Sequence, residues 1–325
     1  GERITTPQTS VKIPKGSTGN KAYTANWQVI KYTIITLLEG GNAGSSGAYV
    51  YTVEETFTLP TPTRTGYTFW GWTGEGITKP QPSVTIPRGS TGDKTYIENW
   101  VETGYTITLD LNGGSGKEKV IYTMTDEDFE LPTPTRNGYE FVGWTGERIT
   151  TPQTSVKIPK GSTGNKAYTA NWKVIRYTIT LVTNGGAVIA SIRYTVEDSV
   201  TLPIPPERPG YEFAGWVLDG SGQFPSTPMI IPEGSTGDRI YKAEWRVASY
   251  TITYVSHGKA YNWVQYTINN QVYFGAPEED PSYYLPGYTF VGWKIDGVSG
   301  TPRSYMLPKG SYGNRTATML WEPIP

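Results

Sequence analysis

The sequence predicts a mainly β protein, built as a tandem array of one small unit. The pattern Gly-Tyr-x-Phe-x-Gly-Trp recurs at Gly66–Trp72, Gly138–Trp144, Gly210–Trp216 and Gly287–Trp293. Glycine (38 residues) and proline (25) are abundant and aromatic residues make up 13% of the chain, which favours strands and tight turns over helices. No apolar run has a helical period. Near-identical units indicate a mechanical or multivalent role, because a catalytic chain carries its site once.

The repeats divide the chain into half a unit followed by four units. The predicted boundaries are 1–30 for the C-terminal half of a repeat and, for repeats 1 to 4, 31–101, 102–174, 175–247 and 248–325. Gly1–Ile30 matches Gly146–Ile175 except that Gln28 stands in place of Lys173. Because Gly1 falls in mid-repeat, we expect the sequence to belong to a longer chain. Repeat 4 departs most from the others, as expected of a terminal repeat that has no neighbour on one face.

Each element of a repeat follows from its local sequence, as repeat 2 illustrates. Tyr105–Asp110 alternates as a strand, and Asn112–Gly114 predicts a turn, since Asn and Gly tolerate positive φ. Val120–Met124 returns as a second strand, and the prolines that follow Leu131 predict an extended connector. The strands Tyr139–Trp144 and Lys166–Trp172, here named the anchor strand and the closing strand, complete the unit.

Aromatic residues at equivalent positions of the four repeats predict the core. Tyr139 and Phe141 share one face of the anchor strand, and a bulge at Gly143 would turn Trp144 toward the core. A large aromatic side chain buries about 150–250 Å², which offsets the small size of the unit. The predicted structural core comprises Tyr67, Phe69, Trp72, Trp100, Tyr139, Phe141, Trp144, Trp172, Tyr211, Phe213, Trp216, Trp245, Tyr288, Phe290, Trp293 and Trp321.

The linkers between repeats are short and contain little glycine. Val101–Gly104 holds one glycine, whereas Lys173–Arg176 holds none and is half apolar. Such linkers are stiffer than Gly/Ser tethers. Equal units joined in this way leave little room for folding back, so the sequence predicts an elongated rod.

Three stretches of repeat 2 resemble the Listeria–Bacteroides repeat, also called the internalin B-type repeat, of bacterial surface proteins. They are Tyr-Thr-Ile-Thr-Leu-Asp-Leu-Asn-Gly-Gly at Tyr105–Gly114, Leu-Pro-Thr-Pro-Thr-Arg-Asn-Gly-Tyr-Glu-Phe-Val-Gly-Trp at Leu131–Trp144, and Tyr-Thr-Ala-Asn-Trp at Tyr168–Trp172. Val156–Gly164 resembles the longer variant of that repeat. The resemblance implies tandem β-grasp-like units in the extracellular stalk of a cell-wall-attached or secreted adhesin. It supplies no catalytic residues and no defined ligand.

Charge and composition exclude several classes of partner and chemistry. The net charge is -1, from 28 basic and 29 acidic residues, so we expect no nucleic-acid binding. No apolar run is long enough to span a membrane, so we expect no membrane insertion of this segment. Cysteine is absent, so the units fold without disulfides.

The sequence contains no set of residues that predicts catalysis, a cofactor or a metal site. His257 is the single histidine, so no catalytic triad or transition-metal site can be assembled around it. The Gly161–Gly164 stretch, Gly-Ser-Thr-Gly, recurs in other repeats and is interpreted as a turn. The acidic clusters Asp126–Asp128 and Glu278–Asp280 leave calcium as an alternative to a solvated loop. We therefore expect a non-enzymatic protein.

A Lys–Asn isopeptide bond in every unit is excluded at the closing strand. Lys166 and Asn171 of repeat 2 are replaced by Arg239 and Glu244 in repeat 3. In repeat 4 the equivalent residues are Arg315 and Leu320.

Two functions compete, and each makes a different demand on the surface. The first is a stalk that spaces the tip of an adhesin from the cell wall. The second is multivalent recognition of a host glycan or protein, with Trp70 and Trp263 as candidate ligand contacts because neither recurs at its position in other repeats. An accessory region of an enzyme is a third, weaker interpretation.

The N-terminal half-repeat carries a hypothesis of its own. Gly1–Trp27 lacks the hairpin and anchor strand of its unit, and a lone half leaves its ladder groups unpaired. Ala22–Trp27 is therefore expected to pair with an edge of repeat 1 or with a neighbouring chain, the latter allowing end-to-end self-association.

Overall fold

A computed structural model describes residues 4–39, 47–277 and 285–325, and its regular structure consists of strands. The mainly β prediction is confirmed. Within the described ranges there is no α-helix, and hence none that could cross a membrane. The chain forms two compact units, one of residues 1–134 with 142–171 and the other of residues 135–141 with 172–325.

The described residues of repeats 1 and 2 form fourteen strands. In repeat 1 they are β1 (Lys31–Leu37), β2 (Ala48–Thr52), β3 (Phe57–Thr58), β4 (Tyr67–Gly74), β5 (Ile77–Gln81), β6 (Thr85–Ile86) and β7 (Lys94–Glu102). In repeat 2 they are β8 (Tyr105–Asp110), β9 (Lys119–Tyr122), β10 (Phe129–Glu130), β11 (Tyr139–Gly146), β12 (Ile149–Gln153), β13 (Lys157–Ile158) and β14 (Lys166–Val174).

In repeats 3 and 4, the part of the chain that the structure describes forms twelve strands. In repeat 3 they are β15 (Tyr177–Val182), β16 (Ile192–Tyr194), β17 (Val200–Thr201), β18 (Tyr211–Leu218), β19 (Ile230–Ile231) and β20 (Arg239–Val247). In repeat 4 they are β21 (Tyr250–Ser256), β22 (Lys259–Tyr266), β23 (Val272–Phe274), β24 (Tyr288–Ile295), β25 (Tyr305–Leu307) and β26 (Arg315–Pro323).

Every repeat builds the same main sheet around its closing strand. In repeat 1 the order is β2-β1-β7-β4-β5, with β7 parallel to β1 and antiparallel to β4. Repeat 2 has the same neighbours, and repeats 3 and 4 form four-stranded versions, β16-β15-β20-β18 and β22-β21-β26-β24. A two-stranded sheet accompanies each main sheet. The β-grasp assignment stays a prediction.

The bulge expected in the anchor strand is present in the equivalent strands. The register against the closing strand shifts between Phe69 and Gly71, and it shifts again at the equivalent pairs of repeats 3 and 4. A Cβ on Gly71 would lie 2.6 Å from backbone atoms of Gln81. This shift places Trp72 at the centre of the core, where the side chain is 0% exposed.

The predicted core aromatics differ in burial according to their position in the unit. Trp72, Trp144, Trp216 and Trp293 are buried, and so is Phe290. The other predicted core residues are half-buried, with one exception. The tryptophans of the closing strands pack edge-on against the anchor-strand phenylalanines, with ring centroids 5.4–5.6 Å apart.

The prediction that Tyr288 belongs to the core is corrected, since its side chain is 40% exposed. Its counterparts Tyr67, Tyr139 and Tyr211 are half-buried. The hydroxyl of Tyr139 bonds to Glu197 of the next repeat, a contact that helps to cover its ring.

A second set of core residues, one tyrosine in the second strand of each repeat, was not predicted from the sequence. Tyr51, Tyr122, Tyr194 and Tyr266 are buried. Each donates its hydroxyl hydrogen to the carbonyl of the last glycine of the Gly-Ser-Thr-Gly or Gly-Ser-Tyr-Gly turn, at 2.6–2.7 Å. These turns therefore have a structural role in bracing the hairpin.

The N-terminal half-repeat does not pair with repeat 1. Residues 4–30 form no strand, and Trp27 is 92% exposed. The prediction that Ala22–Trp27 adds to an edge of repeat 1 is wrong. A closing strand sits between the first strand and the anchor strand of its unit, and in repeat 1 β7 already occupies that central position. Pairing with another chain stays a prediction.

Candidate functional site at the joints between repeats

The recurrent feature outside the cores is the contact between one repeat and the next. It involves the first glycine of each Gly-Tyr-x-Phe-x-Gly-Trp motif, here named the anchor motif. These four residues are named the joint glycines: Gly66, Gly138, Gly210 and Gly287. It also involves the turn after the second strand, here named the corner turn: Thr52–Glu55, Thr123–Asp126, Thr195–Asp198 and Thr267–Asn270.

Each joint glycine holds the end of its own closing strand. Its φ lies between +77° and +82°, a left-handed conformation that favours glycine. Its carbonyl accepts a hydrogen bond from the backbone N–H three residues beyond the closing tryptophan. The donors are Thr103, Ile175, Ala248 and Ile324, at 2.9–3.0 Å. The chain therefore leaves every repeat in the same local geometry.

An apolar side chain of the next corner turn covers the joint glycine. A Cβ on Gly66 would lie 2.6 Å from Cγ of Met124, and one on Gly138 would lie 2.7 and 2.8 Å from Cγ1 and Cγ2 of Val196. Ile268 covers Gly210 in the same way. The approach is too close for any side chain, so these three joints require glycine for contact as well as for φ.

At two of the joints, polar side chains of successive repeats also form hydrogen bonds with each other. The Tyr139 hydroxyl donates a hydrogen bond to Oε1 of Glu197 at 2.5 Å, and this bond to a carboxylate raises the pKa of Tyr139, with desolvation as a lesser cause. The Arg136 guanidinium lies 3.8 Å from the centroid of the Tyr139 ring. Between repeats 1 and 2, Thr125 donates from Oγ1 to Oε1 of Glu102 at 2.8 Å.

The corner turn is held by one side-chain oxygen and one glycine. Oδ2 of Asp126 accepts from the N–H of Thr123 at 2.9 Å, and Asp198 does the same for Thr195 at 2.8 Å. Asn270 takes this role in repeat 4, so the turn needs an acceptor oxygen and no charge. The carbonyl of the apolar corner residue accepts from the first glycine of the Gly-Ser-Thr-Gly or Gly-Ser-Tyr-Gly turn, at 2.7–2.8 Å.

The acidic cluster Asp126–Asp128 has protein partners. Nζ of Lys157 lies 2.7 Å from Oδ2 of Asp128, and Nζ of Lys160 lies 2.6 Å from Oε1 of Glu127. The hydrogen bond from Lys157 is the largest cause that lowers the pKa of Asp128. In the described ranges no three His, Cys, Asp or Glu side chains converge as metal ligands. The cluster Glu278–Asp280 lies outside the described residues.

His257 occupies the hairpin turn of repeat 4. Its Nδ1 lies 2.9 Å from Oγ of Ser256, and its ring stacks on Trp321 with centroids 6.0 Å apart. The residue packs as part of the turn.

The two candidate ligand tryptophans are exposed but lie at unrelated positions of the unit. Trp70 on β4 is 58% exposed, and Trp263 on β22 is 64% exposed. At the Trp70 position the other repeats carry Val142, Ala214 and Val291. The two side chains therefore do not define one repeated binding face.

Repeat 4 also contains a cleft of about 420 Å³, a size typical of small-ligand sites. Its aromatic lining residues are Tyr254, Tyr261, Tyr273, Phe274 and Trp293. The indole N–H of Trp293 is already bonded to the carbonyl of Gly275 at 2.9 Å. This cleft was not predicted from the sequence, because most of its residues lie outside the repeated motifs.

Comparison with known proteins gives one family and several relatives. The family model described as the Listeria-Bacteroides repeat domain matches residues 32–95, 105–171, 177–236 and 250–310. A protein of Evansella cellulosilytica, provisionally named a Gly-rich membrane protein, is 26% identical over 85% of this chain. Internalin H of Listeria monocytogenes is 32% identical over 26% of this chain. The chain spans 32% of the Evansella protein and 15% of internalin H.

Proposed function

Since this chain belongs to the Listeria-Bacteroides repeat domain family, we propose that it is a non-catalytic stalk of a bacterial surface protein. The family occurs in surface proteins such as internalins. In this proposal the repeats space an adhesive tip from the cell surface, in a protein that is attached to the cell wall or secreted.

The observation that carries the proposal is the recurrence of one joint between successive repeats. The hydrogen bond to the joint glycine carbonyl and the apolar cover of that glycine are the same between repeats 1 and 2, 2 and 3, and 3 and 4. A ligand-binding array needs no constant joint, because flexible linkers also give avidity. A spacer does need one, since each free joint would shorten the reach of the chain.

Each joint resists bending through close packing. Rotating repeat 3 away from repeat 2 would separate Val196 from Gly138 and break the bond between Tyr139 and Glu197. Both contacts would then be exposed to solvent. A hydrogen bond to a charged carboxylate, such as that of Glu197, is stronger than one between neutral groups. A stalk with such joints transmits orientation from one repeat to the next.

Small-angle X-ray scattering of the full chain at low concentration tests the proposal. We expect the pair-distance distribution of a rod, and a shorter mean dimension for Gly138→Asn, whose side chain would push Val196 out of the joint. Gly300→Asn is the matched control, because Gly300 also has positive φ (+78°) and no described atom lies within 4 Å of its Cβ position. A distribution typical of a compact globule would contradict the stalk.

The aromatic cleft of repeat 4 supports a second candidate function, recognition of a host glycan or protein. The exposed ring of Tyr273 and the half-buried rings of Tyr254 and Tyr261 offer stacking surfaces. The side-chain amide of Asn262, which also lines the cleft, offers a hydrogen bond. A glycan array and a host-protein screen, carried out with the full chain and with Tyr273→Ala, test this. Binding that the variant loses would favour recognition, and absence of any binding would leave the stalk as the function.

A further inference from the structure

We propose that the outer face of the main sheet of repeat 1 binds the same face of a second copy of this chain, as a two-fold dimer. The outer face is the side of the sheet turned away from the core. Its exposed apolar side chains are Ile35, Leu37, Val50, Trp70, Ile97 and Val101. The proposal is independent of the stalk function, since a stalk works with or without lateral contacts.

Strand pairing makes these side chains neighbours on one surface. Leu37 of β1 pairs with Ile97 of the adjacent closing strand β7. Val50 on β2 and Trp70 on β4 extend the patch to either side, since β2 borders β1 and β4 borders β7. Exposed apolar surface therefore crosses four strands of the sheet.

The other repeats carry polar or charged residues at several of the same positions. The replacements are Thr108, Thr180 and Thr253 for Ile35; Thr169, Lys242 and Thr318 for Ile97; and Lys173, Arg246 and Glu322 for Val101. The unit therefore folds without apolar residues at these places. Their concentration on one face of repeat 1 is typical of a contact surface.

Polar side chains on this face are already bonded within repeat 1. Asn99 donates from Nδ2 to the carbonyl of Gly71 at 3.1 Å and to Oγ1 of Thr73 at 3.0 Å. The Oγ1 atoms of Thr68 and Thr103 lie 2.8 Å apart and share a second bond. Removing a polar group from water costs least when it is hydrogen-bonded, so the face can be covered at small cost.

Contacts between successive repeats leave this face open. Repeat 2 has a complete repeat before and after it in the sequence, and Thr108, Ile121 and Val142 of its outer face are exposed. The exposure of the face in repeat 1 is therefore a property of the unit.

A second copy is the occupant that matches the chemistry of the face. The outward side chains of β1 from its third residue onward and of β7 are uncharged: Thr33, Ile35, Leu37, Thr95, Ile97, Asn99 and Val101. They offer no counter-charge to a charged peptide or an anionic headgroup. The equivalent faces of repeats 2 to 4 carry charges, and covering an unpaired charge is costly. Against its own copy the face covers none, in an isologous contact.

The area of the face fits a weak dimer. The six apolar side chains are about half exposed and present on the order of 400 Å² of apolar surface per copy. Two such faces with their surrounding threonines, packed at the about 10 Å spacing of stacked sheets, would bury on the order of 1,000 Å² in total. This is the lower limit for a specific interface, so we expect a dissociation constant near about 100 µM.

Sedimentation velocity of the full chain between about 5 and 500 µM tests the proposal on both sides of that constant. We expect the weight-average sedimentation coefficient to rise with concentration towards the value of a dimer. It should not rise further, since a two-fold contact closes on itself.

Two variants place a charge inside the contact. Val50→Arg and Ile97→Lys should each raise the dissociation constant by about tenfold or more. Each introduces the residue type that repeat 3 carries at that position, in Arg193 and Lys242, so the fold should tolerate both. Circular dichroism of each variant checks that it is folded.

Ile121→Arg is the matched control. It makes the same kind of change at the position of Val50 in repeat 2, where the side chain is 70% exposed. This variant should associate like the wild type, because the outer face of repeat 2 lies outside the proposed contact.

Four outcomes would overturn the proposal. They are a wild type that stays monomeric up to about 500 µM, association that Val50→Arg and Ile97→Lys leave unchanged, association that Ile121→Arg weakens equally, and growth beyond the dimer. A monomeric wild type whose binding on a glycan array is lost in Trp70→Ala would assign the face to a ligand. Scattering of the dilute monomer tests the stalk separately, so failure of one proposal leaves the other intact.

Discussion

Replacing a joint glycine by alanine separates the two reasons for glycine at this position. Gly138→Ala meets both a φ of +77° and the side chain of Val196. Gly287→Ala meets a φ of +82° with no described atom near its Cβ. The two variants are therefore matched in backbone strain and differ in joint contact.

The expected magnitudes follow from these environments. An alanine in the left-handed region costs about 1–2 kcal/mol at either position. At Gly138 the new Cβ would lie 2.7 and 2.8 Å from the Val196 methyl carbons, and overpacking of this kind adds about 1–3 kcal/mol. Gly138→Ala should thus destabilise its surroundings by roughly 2–5 kcal/mol in total.

Hydrogen exchange is the suitable assay, because repeat proteins can open unit by unit. The amide of Ile175 is bonded to the carbonyl of Gly138, and the amide of Ile324 to that of Gly287. Because overpacking against Val196 occurs only in Gly138→Ala, we expect about ten- to hundredfold more loss of protection at Ile175 in this variant than at Ile324 in Gly287→Ala.

Protection of the corner turn Thr195–Asp198 provides an internal check. It should fall in Gly138→Ala and stay unchanged in Gly287→Ala, because the corner turn touches Gly138 alone of the two. Equal losses at Ile175 and Ile324, with the corner turn unaffected, would refute the claim that contact between repeats stabilises the joint.

Three further predictions concern single repeats. Trp144→Ala removes a side chain that is 0% exposed and should cost about 3–5 kcal/mol in urea denaturation, so a loss below about 1 kcal/mol would contradict its core role. Burial raises the pKa of Glu98, against the smaller opposing effects of the Trp100 N–H and Arg64. Glu98 therefore favours folding at acid pH, and this contribution is lost as pH rises through its folded pKa. Repeats 2 and 3 carry alanine at this position, Ala170 and Ala243. In thermal denaturation, Glu98→Ala should lose less stability between acid and neutral pH than the wild type. Trp70→Ala and Trp263→Ala should each change stability by no more than about 0.5 kcal/mol, and a larger loss would mean that these exposed rings pack against the protein.

Much of the unit could be predicted because its determinants are local or repeated. The turn residues predicted the positions of the hairpins. The second glycine of the anchor motif predicted the bulge that the equivalent strands show. The buried tyrosine of the second strand was missed, since its partner, the carbonyl of Gly92 in repeat 1, lies 41 residues away. A hydrogen bond over that separation leaves no periodic signal in the sequence.

The joint could not be predicted from one repeat alone, because it forms between two. One signal was nevertheless present. The corner turns are polar at most positions, yet each holds one apolar residue at the same place: Val53, Met124, Val196 and Ile268. An apolar side chain kept in a solvent-facing turn is typical of a contact surface. The burial of Val196, at 9% exposure, agrees with that interpretation.

Repeat 4 shows why identity across repeats does not by itself reveal what a residue does. The joint glycine is present in all four repeats, so the sequence alone cannot separate its two physical requirements. In repeat 4 the positive φ and the bond from Ile324 remain while the covering side chain is missing from the described residues. The left-handed turn is therefore a property of the unit, and the close approach of an apolar side chain is a property of the array.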